Sequence, residues 1–174
     1  MKHHLNSIFS YISWACWSII TGGCFLIAAF LAPLTFFKLP LLIPDSSQIH
    51  QYSTILMTSL FSAFVPACLI AFLISTMLEQ TNFRNDFRDH RVKLLCRETL
   101  LLAGLLIWGA LALVVVPEMS DMVFGKDWQN PATRALFREQ HVLSTNLVQA
   151  GLLITLIIPW VSNHSHLLNS DSHT

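Results

Sequence analysis

The stretch TLLLAGLLIWGALALVVVP, residues 99–117, has 19 positions and no charged side chain. A helix needs about 20 apolar residues to cross the roughly 30 Å hydrocarbon core of a bilayer, so this run predicts a transmembrane helix. Apolar and polar residues do not alternate along it, which argues against a strand of a membrane barrel. Backbone groups in lipid must be hydrogen-bonded internally, and a helix achieves this within one segment.

Three further apolar runs accompany this one, at about residues 8–37, 53–78 and 141–162. Hydrophobic residues make up 53% of the 174-residue chain and charged residues only 11%, whereas a soluble domain carries about 25% charged residues. The sequence therefore predicts an all-α, integral membrane four-helix bundle with short loops. We expect a single domain over residues 1–174, with 163–174 as a flexible tail.

Prolines mark the expected ends of these spans. Pro33, Pro40 and Pro44 are predicted to end the first span and Pro117 to close the third, because a proline ring disrupts the helix before it. Pro66 lies inside the second span and predicts a kink there. Asn130-Pro131 is a favourable N-cap followed by proline at the first helical position. The last helix should therefore begin at about 131, before the membrane, and run to about 160.

The distribution of cations predicts the orientation. Six lie on the side of the N-terminus, the central loop and the C-terminus, and four lie on the other side: Lys2, Arg84, Arg88, Arg91, Lys93 and Arg97 against Lys38, Lys126, Arg134 and Arg138. This predicts both termini in the cytoplasm, with the bacterial inner membrane as the expected location. The central loop from Glu79 to Glu98 mixes charges of both signs and is interpreted as a solvated turn that extends two helices and contacts lipid headgroups.

The tryptophans are interpreted as interfacial anchors and the cysteines as packing residues. The tryptophans lie mostly near span ends, as interfacial anchors do; they are Trp14, Trp17, Trp108, Trp128 and Trp160. The cysteines are too few and too scattered for a disulfide framework and are interpreted as small buried hydrophobic residues; they are Cys16, Cys24, Cys68 and Cys96.

A polar stripe marks the beginning of the fourth span. At about 100° per residue one face of this helix collects several polar residues; they are Arg134, Arg138, His141, Thr145 and Gln149, with Ser144 and Asn146 beside them. Polar groups in a membrane are costly unless they face protein or water, so we expect the stripe to point into the bundle. It is interpreted first as hydrogen bonding between helices and second as the lining of a polar cavity or ion path.

Small residues in the first span predict close helix packing. Ser18 and Gly22 are four residues apart, and Gly22-Gly23 leaves a smooth patch on the helix. Such spacing lets two backbones approach closely. Packing inside the bundle is favoured over packing against a partner helix.

Two histidines are candidate ligands, because His50 and His141 fall at the non-cytoplasmic ends of their spans. A pair of histidines from different helices at similar depth is able to bind haem or a metal ion. Interfacial histidines are more often ordinary polar groups, so the expected cofactor is none, with haem or a metal ion as the alternative.

Several short motifs, taken in order, resemble those of the transmembrane protein 205-like family. The matching stretches cover nearly the whole chain; they are Trp14, Trp17, Gly22-Gly23, 32–40 (APLTFFKLP), Gln51-Tyr52-Ser53, Ser59-Leu60-Phe61, Pro117-Glu118-Met119 and 137–144 (FREQHVLS). Family members usually have an asparagine seven residues after the histidine, where this chain has Val148. Bacterial members are described mainly as a membrane domain of unknown function. The resemblance therefore implies the topology and marks His141 and Ser144, but implies no reaction.

The sequence favours a non-enzymatic scaffold or accessory subunit of a membrane complex. It shows no catalytic triad, phosphate-binding loop or zinc-protease motif, and no acidic residue lies in the middle of a span. A haem- or metal-binding protein that uses His141 and His50 is one alternative, and an oligomeric transporter or channel for a small solute is another. Expected partners are the lipid bilayer and either other membrane proteins or a second copy. The formal net charge of +0 gives no reason to expect nucleic acid.

Overall fold

The structure, a computed structural model, describes the backbone of residues 2–38, 46–83, 91–125, 128 and 130–170. Side chains are described for residues 8–38, 51–80, 94–125, 128, 130–159 and 161. Five α-helices and three π-helical turns make up this part of the chain. They are α1 (Lys2–Leu26), two π turns (Ile27–Leu31 and Leu34–Lys38), α2 (Ser46–Phe83), α3 (Arg91–Ala110), a third π turn (Leu111–Val115), α4 (Val116–Phe124) and α5 (Pro131–Ser170).

Four continuous helical segments are long and apolar enough to cross a membrane. They are Ile8–Lys38, Gln51–Gln80, Leu94–Phe124 and Pro131–Pro159, each of 29 to 31 residues. The predicted all-α four-helix bundle is confirmed, and the chain is an integral membrane protein. At about 1.5 Å per residue each segment exceeds the thickness of the hydrocarbon core, so the ends of the spans extend into the headgroup regions.

Neither Pro33 nor Pro117 ends its helix, contrary to the expectation from sequence, whereas Pro40 and Pro44 lie outside the described residues. Pro117 lies in the first turn of α4, and the helix continues to Phe124. The π turn before it places the N–H of Val116 on the carbonyl of Leu111, and a wider turn of this kind accommodates a ring that lacks an N–H. The first span likewise continues beyond Pro33 through a second π turn.

The beginning of α5 confirms the predicted N-cap. Asn130 Oδ1 accepts a hydrogen bond from the Ala132 N–H at 3.0 Å, and Pro131 is the first helical residue. Helix α5 is longer than expected at its other end, because it extends to Ser170. Residues 163–170, expected in a flexible tail, are therefore helical, while 171–174 lie outside the described residues.

Large aromatic side chains of the core pack into space left by small residues. Trp108 is fully buried, and a Cβ at Gly151 would lie 3.1 Å from its ring. Trp17 is also buried and meets Phe72 edge to face, with ring centroids 5.2 Å apart. The expectation that tryptophans act as interfacial anchors is thus wrong for Trp17 and Trp108. Both are core residues: the Trp108 indole fills the gap that Gly151 leaves between helices, and the Trp17 indole packs on Phe72.

The two adjacent glycines of α1 face different surroundings. A Cβ at Gly23 would overlap the ring of Phe64 on α2, whereas nothing lies within 4 Å of a Cβ at Gly22. Ser18 and Gly22 are exposed, meaning that they face away from the other helices. Of the three residues expected to pack inside the bundle, only Gly23 does so, and the interpretation is wrong for Ser18 and Gly22.

Replacing Gly23 by leucine should destabilise the protein, with Gly22→Leu as a matched control. Leucine at 23 would collide with Phe64, and overpacking of this kind typically costs about 1–3 kcal/mol. Leucine at 22 meets open space, so its effect on the unfolding midpoint should be small. The unfolding midpoint of each variant is measured in mixed detergent micelles, with far-ultraviolet circular dichroism as the signal. Equal losses for the two variants would contradict the close α1–α2 contact.

Candidate functional site

Four polar side chains from three helices form a buried polar cluster at one end of the bundle. The cluster consists of Ser13 and Trp17 of α1, Glu79 of α2 and Arg97 of α3. Glu79 Oε1 accepts hydrogen bonds from Ser13 Oγ at 3.1 Å and from Trp17 Nε1 at 2.9 Å. Glu79 Oε2 accepts one from Arg97 Nη2 at 3.4 Å. Helices α1, α2 and α3 are therefore joined through one carboxylate.

The cluster is shielded from the surroundings, since Arg97 is 1% exposed and the Glu79 side chain 13% exposed. The outer edge is closed by Glu98, whose Oε1 is 3.3 Å from Arg97 Nη1 and whose Oε2 accepts a hydrogen bond from Gln80 at 2.6 Å. Ionic groups in such a shielded place interact more strongly than at a surface, but each also loses hydration. The arrangement acts as a clamp between helices.

The solvated surface expected for residues 79–98 is a wrong prediction for Arg97, which is buried, and for the largely shielded Glu79. Both residues lie within helices, and Arg97 faces the protein interior. A signal was present in the spacing of Ser75 and Glu79, because residues four apart share a helix face. Ser75 Oγ donates to the carbonyl of Ser13 at 3.4 Å, so this face packs on α1.

The polar stripe of α5 lies on the outside of the bundle, contrary to the expectation that it points inward. All five of its members are exposed, and only the neighbouring Ser144 is buried; the exposed residues are Arg134, Arg138, His141, Thr145 and Gln149. The helix is rotated this way because Gly151, Thr155 and Ile158 form its buried face. That face includes the glycine against which Trp108 packs.

The hydroxyls near His141 are satisfied within the helix itself. Ser144 Oγ and Thr145 Oγ1 both donate to the carbonyl of His141, each at 2.8 Å. Such local bonds let a hydroxyl face lipid at little cost. They leave Asn146 and Gln149 as the exposed amides of this region. Nearer the helix start, Arg134 and Arg138 border a shallow groove of about 270 Å³.

His141 belongs to a row of aromatic rings near the N-terminus of α5. Its ring stacks parallel on Phe137 at a centroid distance of 6.2 Å, and Phe137 meets Trp128 edge to face at 5.2 Å. The side chain of His50 lies outside the described residues, so the proposed pairing of His50 with His141 stays a prediction. Where the structure describes the side chains, no three His, Cys, Asp or Glu residues come close enough together to hold a metal ion.

Three of the four cysteines are buried, as expected, and the interpretation is wrong for Cys96. Cys16, Cys24 and Cys68 are buried, and Cys24 of α1 and Cys68 of α2 belong to the same hydrophobic core. Cys96, one residue before Arg97, is exposed. The buried thiols thus contribute to packing between the first two spans.

No family model, curated protein or solved structure matches the chain. The two polar regions are therefore interpreted from their own geometry. The clamp has its donors and acceptors arranged within the bundle, whereas the stripe of α5 presents polar groups outward. Of the two, the outer face of α5 is the candidate for binding something beyond this chain.

Proposed function

We propose that the protein is a non-enzymatic subunit of a larger membrane assembly, and that the outward face of α5 is its binding surface. The observation that carries the proposal is the exposure of Asn146 and Gln149 within a membrane span. An amide that faces hydrocarbon loses its hydrogen bonds to water without replacement, which is costly. Contact with another protein removes this cost.

The depth of these two amides supports the proposal. They lie five and eight residues beyond His141, which corresponds to about 7.5 and 12 Å along the helix axis. An interfacial position for His141 therefore places both amides inside the hydrocarbon core. Across the part of the chain that the structure describes, neither amide has a hydrogen-bond partner.

The interior of the bundle favours assembly over transport by a single copy. Its centre is filled by fully buried side chains that include Phe72, Trp108 and Ile158. The stripe of α5 is exposed and lies outside this packed core. A solute path along the stripe would need several copies of the chain around it.

The location, the orientation and the family are part of the same proposal. The excess of lysine and arginine around the central loop supports cytoplasmic termini in a bacterial inner membrane. The motif at 137–144 and the stretch 32–40 support a relation to the transmembrane protein 205-like family. We propose no cofactor, because His141 stacks on Phe137 at the outside of the bundle.

Photo-crosslinking in native membranes tests the binding surface. A photoreactive amino acid at Val142, which is exposed on α5 beside the stripe, should yield a covalent adduct with protein. Ile70 is equally exposed on α2 and is the matched control, which should react with lipid alone. Mass spectrometry identifies the adduct. The proposal fails if Val142 yields only lipid adducts, or if both positions capture the same proteins.

A further inference from the structure

The exposed face of α5 carries a heptad repeat. The repeat comprises six residues separated by steps of three and four, and all six are exposed: Glu139, Val142, Asn146, Gln149, Leu153 and Leu156. We call these six residues the α5 seam. A spacing that averages about 3.5 residues is the pattern by which two helices pack along a shared left-handed supercoil. The contacts of α5 within its own bundle use a different face, so the seam is unoccupied by the four spans.

Membrane topology limits how a second copy can meet this seam. Copies inserted in the same orientation are related by a rotation axis along the membrane normal. A twofold axis of this kind brings α5 against α5 in parallel, with each residue opposite its own counterpart at the same depth. The chemistry of the seam can therefore be checked for self-complementarity, residue by residue.

The amides of the seam suit this arrangement. A primary amide has both donor and acceptor atoms, so two copies of one amide can hydrogen-bond to each other across a twofold axis. Asn146 occupies the position of the heptad at which asparagine specifies parallel register in two-stranded coiled coils. Gln149, one step further along, is able to form a second polar layer of the same kind. The helix pair would thus remove both amides from lipid.

The charges at the N-terminal end of the seam are complementary as well. Glu139 lies on the seam and faces Glu139 of the other copy, whereas Arg138, adjacent in sequence and about 100° away around the helix, lies beside the seam. In a parallel twofold pair, each Arg138 then lies beside the Glu139 of the other copy. Inside one chain, neither residue forms an ion pair with any described group. Val142, Leu153 and Leu156 supply the apolar layers between and beyond the polar ones.

From these features we propose that the chain forms a parallel homodimer in the membrane through the α5 seam. The proposal rests on the proposed function, for which it names the partner as a second copy of this chain. Pairing satisfies Asn146 and Gln149 in hydrocarbon and joins Arg138 to Glu139 of the other copy.

Energy transfer between labelled full-length chains in liposomes tests the dimer. Dilution with lipid should give a dimerisation curve for a complex of two chains. Replacing both seam amides in the variant N146L/Q149L should weaken dimerisation by about tenfold, because membrane hydrogen bonds contribute roughly 0.6 kcal/mol or more each. Ser59→Leu, a matched change at an exposed position on α2, should leave the curve unchanged. Far-ultraviolet circular dichroism checks that each variant is folded.

A charge swap provides the second arm of the test. Arg138→Glu alone should weaken dimerisation, and the double change R138E/E139R should restore it, because the pair then re-forms with reversed charges. The dimer proposal is overturned by a wild-type chain that stays monomeric, by a complex of three or more chains, or by an N146L/Q149L variant that dimerises normally. Adducts of Val142 with a different protein, together with a monomeric purified chain, would overturn the dimer but leave the proposed function standing. If Val142 forms adducts with lipid alone, both the dimer proposal and the proposed function are overturned.

Discussion

Replacing Arg97 by methionine is expected to lower the free energy of unfolding by about 3–5 kcal/mol, the usual loss when one partner of a buried ion pair is removed. Arg97 is 1% exposed and contacts both Glu79 and Glu98. Without the guanidinium, the Glu79 carboxylate loses a cationic partner, while it still accepts hydrogen bonds from Ser13 and Trp17 of α1 and remains shielded from water. Unfolding in mixed micelles measures the loss, with Lys38→Met as a control at an exposed cation.

A second change should recover most of this loss. Glu79→Gln in the Arg97→Met background removes the uncompensated charge, and the amide oxygen still accepts hydrogen bonds from Trp17 and Ser13. A buried site in which both ionic partners have been replaced is often nearly as stable as the original. The double variant R97M/E79Q should thus be more stable than Arg97→Met alone. Additive losses would show that the two residues do not interact.

Truncating Trp108 to alanine should have a comparable effect, with an expected loss of about 3–5 kcal/mol for a large aromatic residue in a core. The indole is 0% exposed and fills the space above Gly151 between α3 and α5. Removing it leaves a cavity whose walls lose their contacts. Trp14→Ala, at a tryptophan that is 45% exposed, provides the control. The change in unfolding midpoint should be several times larger at Trp108.

A substitution at Gly151 tests the same contact between Trp108 and Gly151. Gly151→Leu should destabilise the wild type, because a Cβ there already lies 3.1 Å from the indole. In the Trp108→Ala background the same leucine enters the cavity and should recover part of the loss. A leucine that is equally harmful in both backgrounds would mean that the two positions are not in contact.

The sequence was sufficient for the parts of the fold that depend on local composition. An apolar run of about 20 residues has few alternatives to a transmembrane helix, so the number of spans could be predicted. Asn130 and Pro131 act within one turn, and the beginning of α5 followed from those two residues. The positions of the prolines gave wrong predictions of helix ends, because a π turn lets a helix continue past Pro117.

The sequence was insufficient for the rotation of each helix about its axis. In a soluble bundle the apolar stripe identifies the buried face, but in a membrane the lipid and the core are both apolar. For this reason the sequence does not reveal that Trp108 is buried or that Gln149 points outward. The difference between Gly22 and Gly23 likewise depends on the position of Phe64, more than 40 residues away in sequence.

The ion pair between Glu79 and Arg97 bears on how the nascent chain enters the bilayer. The two residues are separated by 18 positions and lie at facing ends of α2 and α3. A translocon that releases α2 alone would deliver a carboxylate without its counterion, and the same holds for α3 and its guanidinium. Released together, the two helices form a hairpin in which the pair is electrically neutral. We therefore expect α2 and α3 to enter the bilayer as one hairpin, with α2 fully inserted only after α3 has been synthesised.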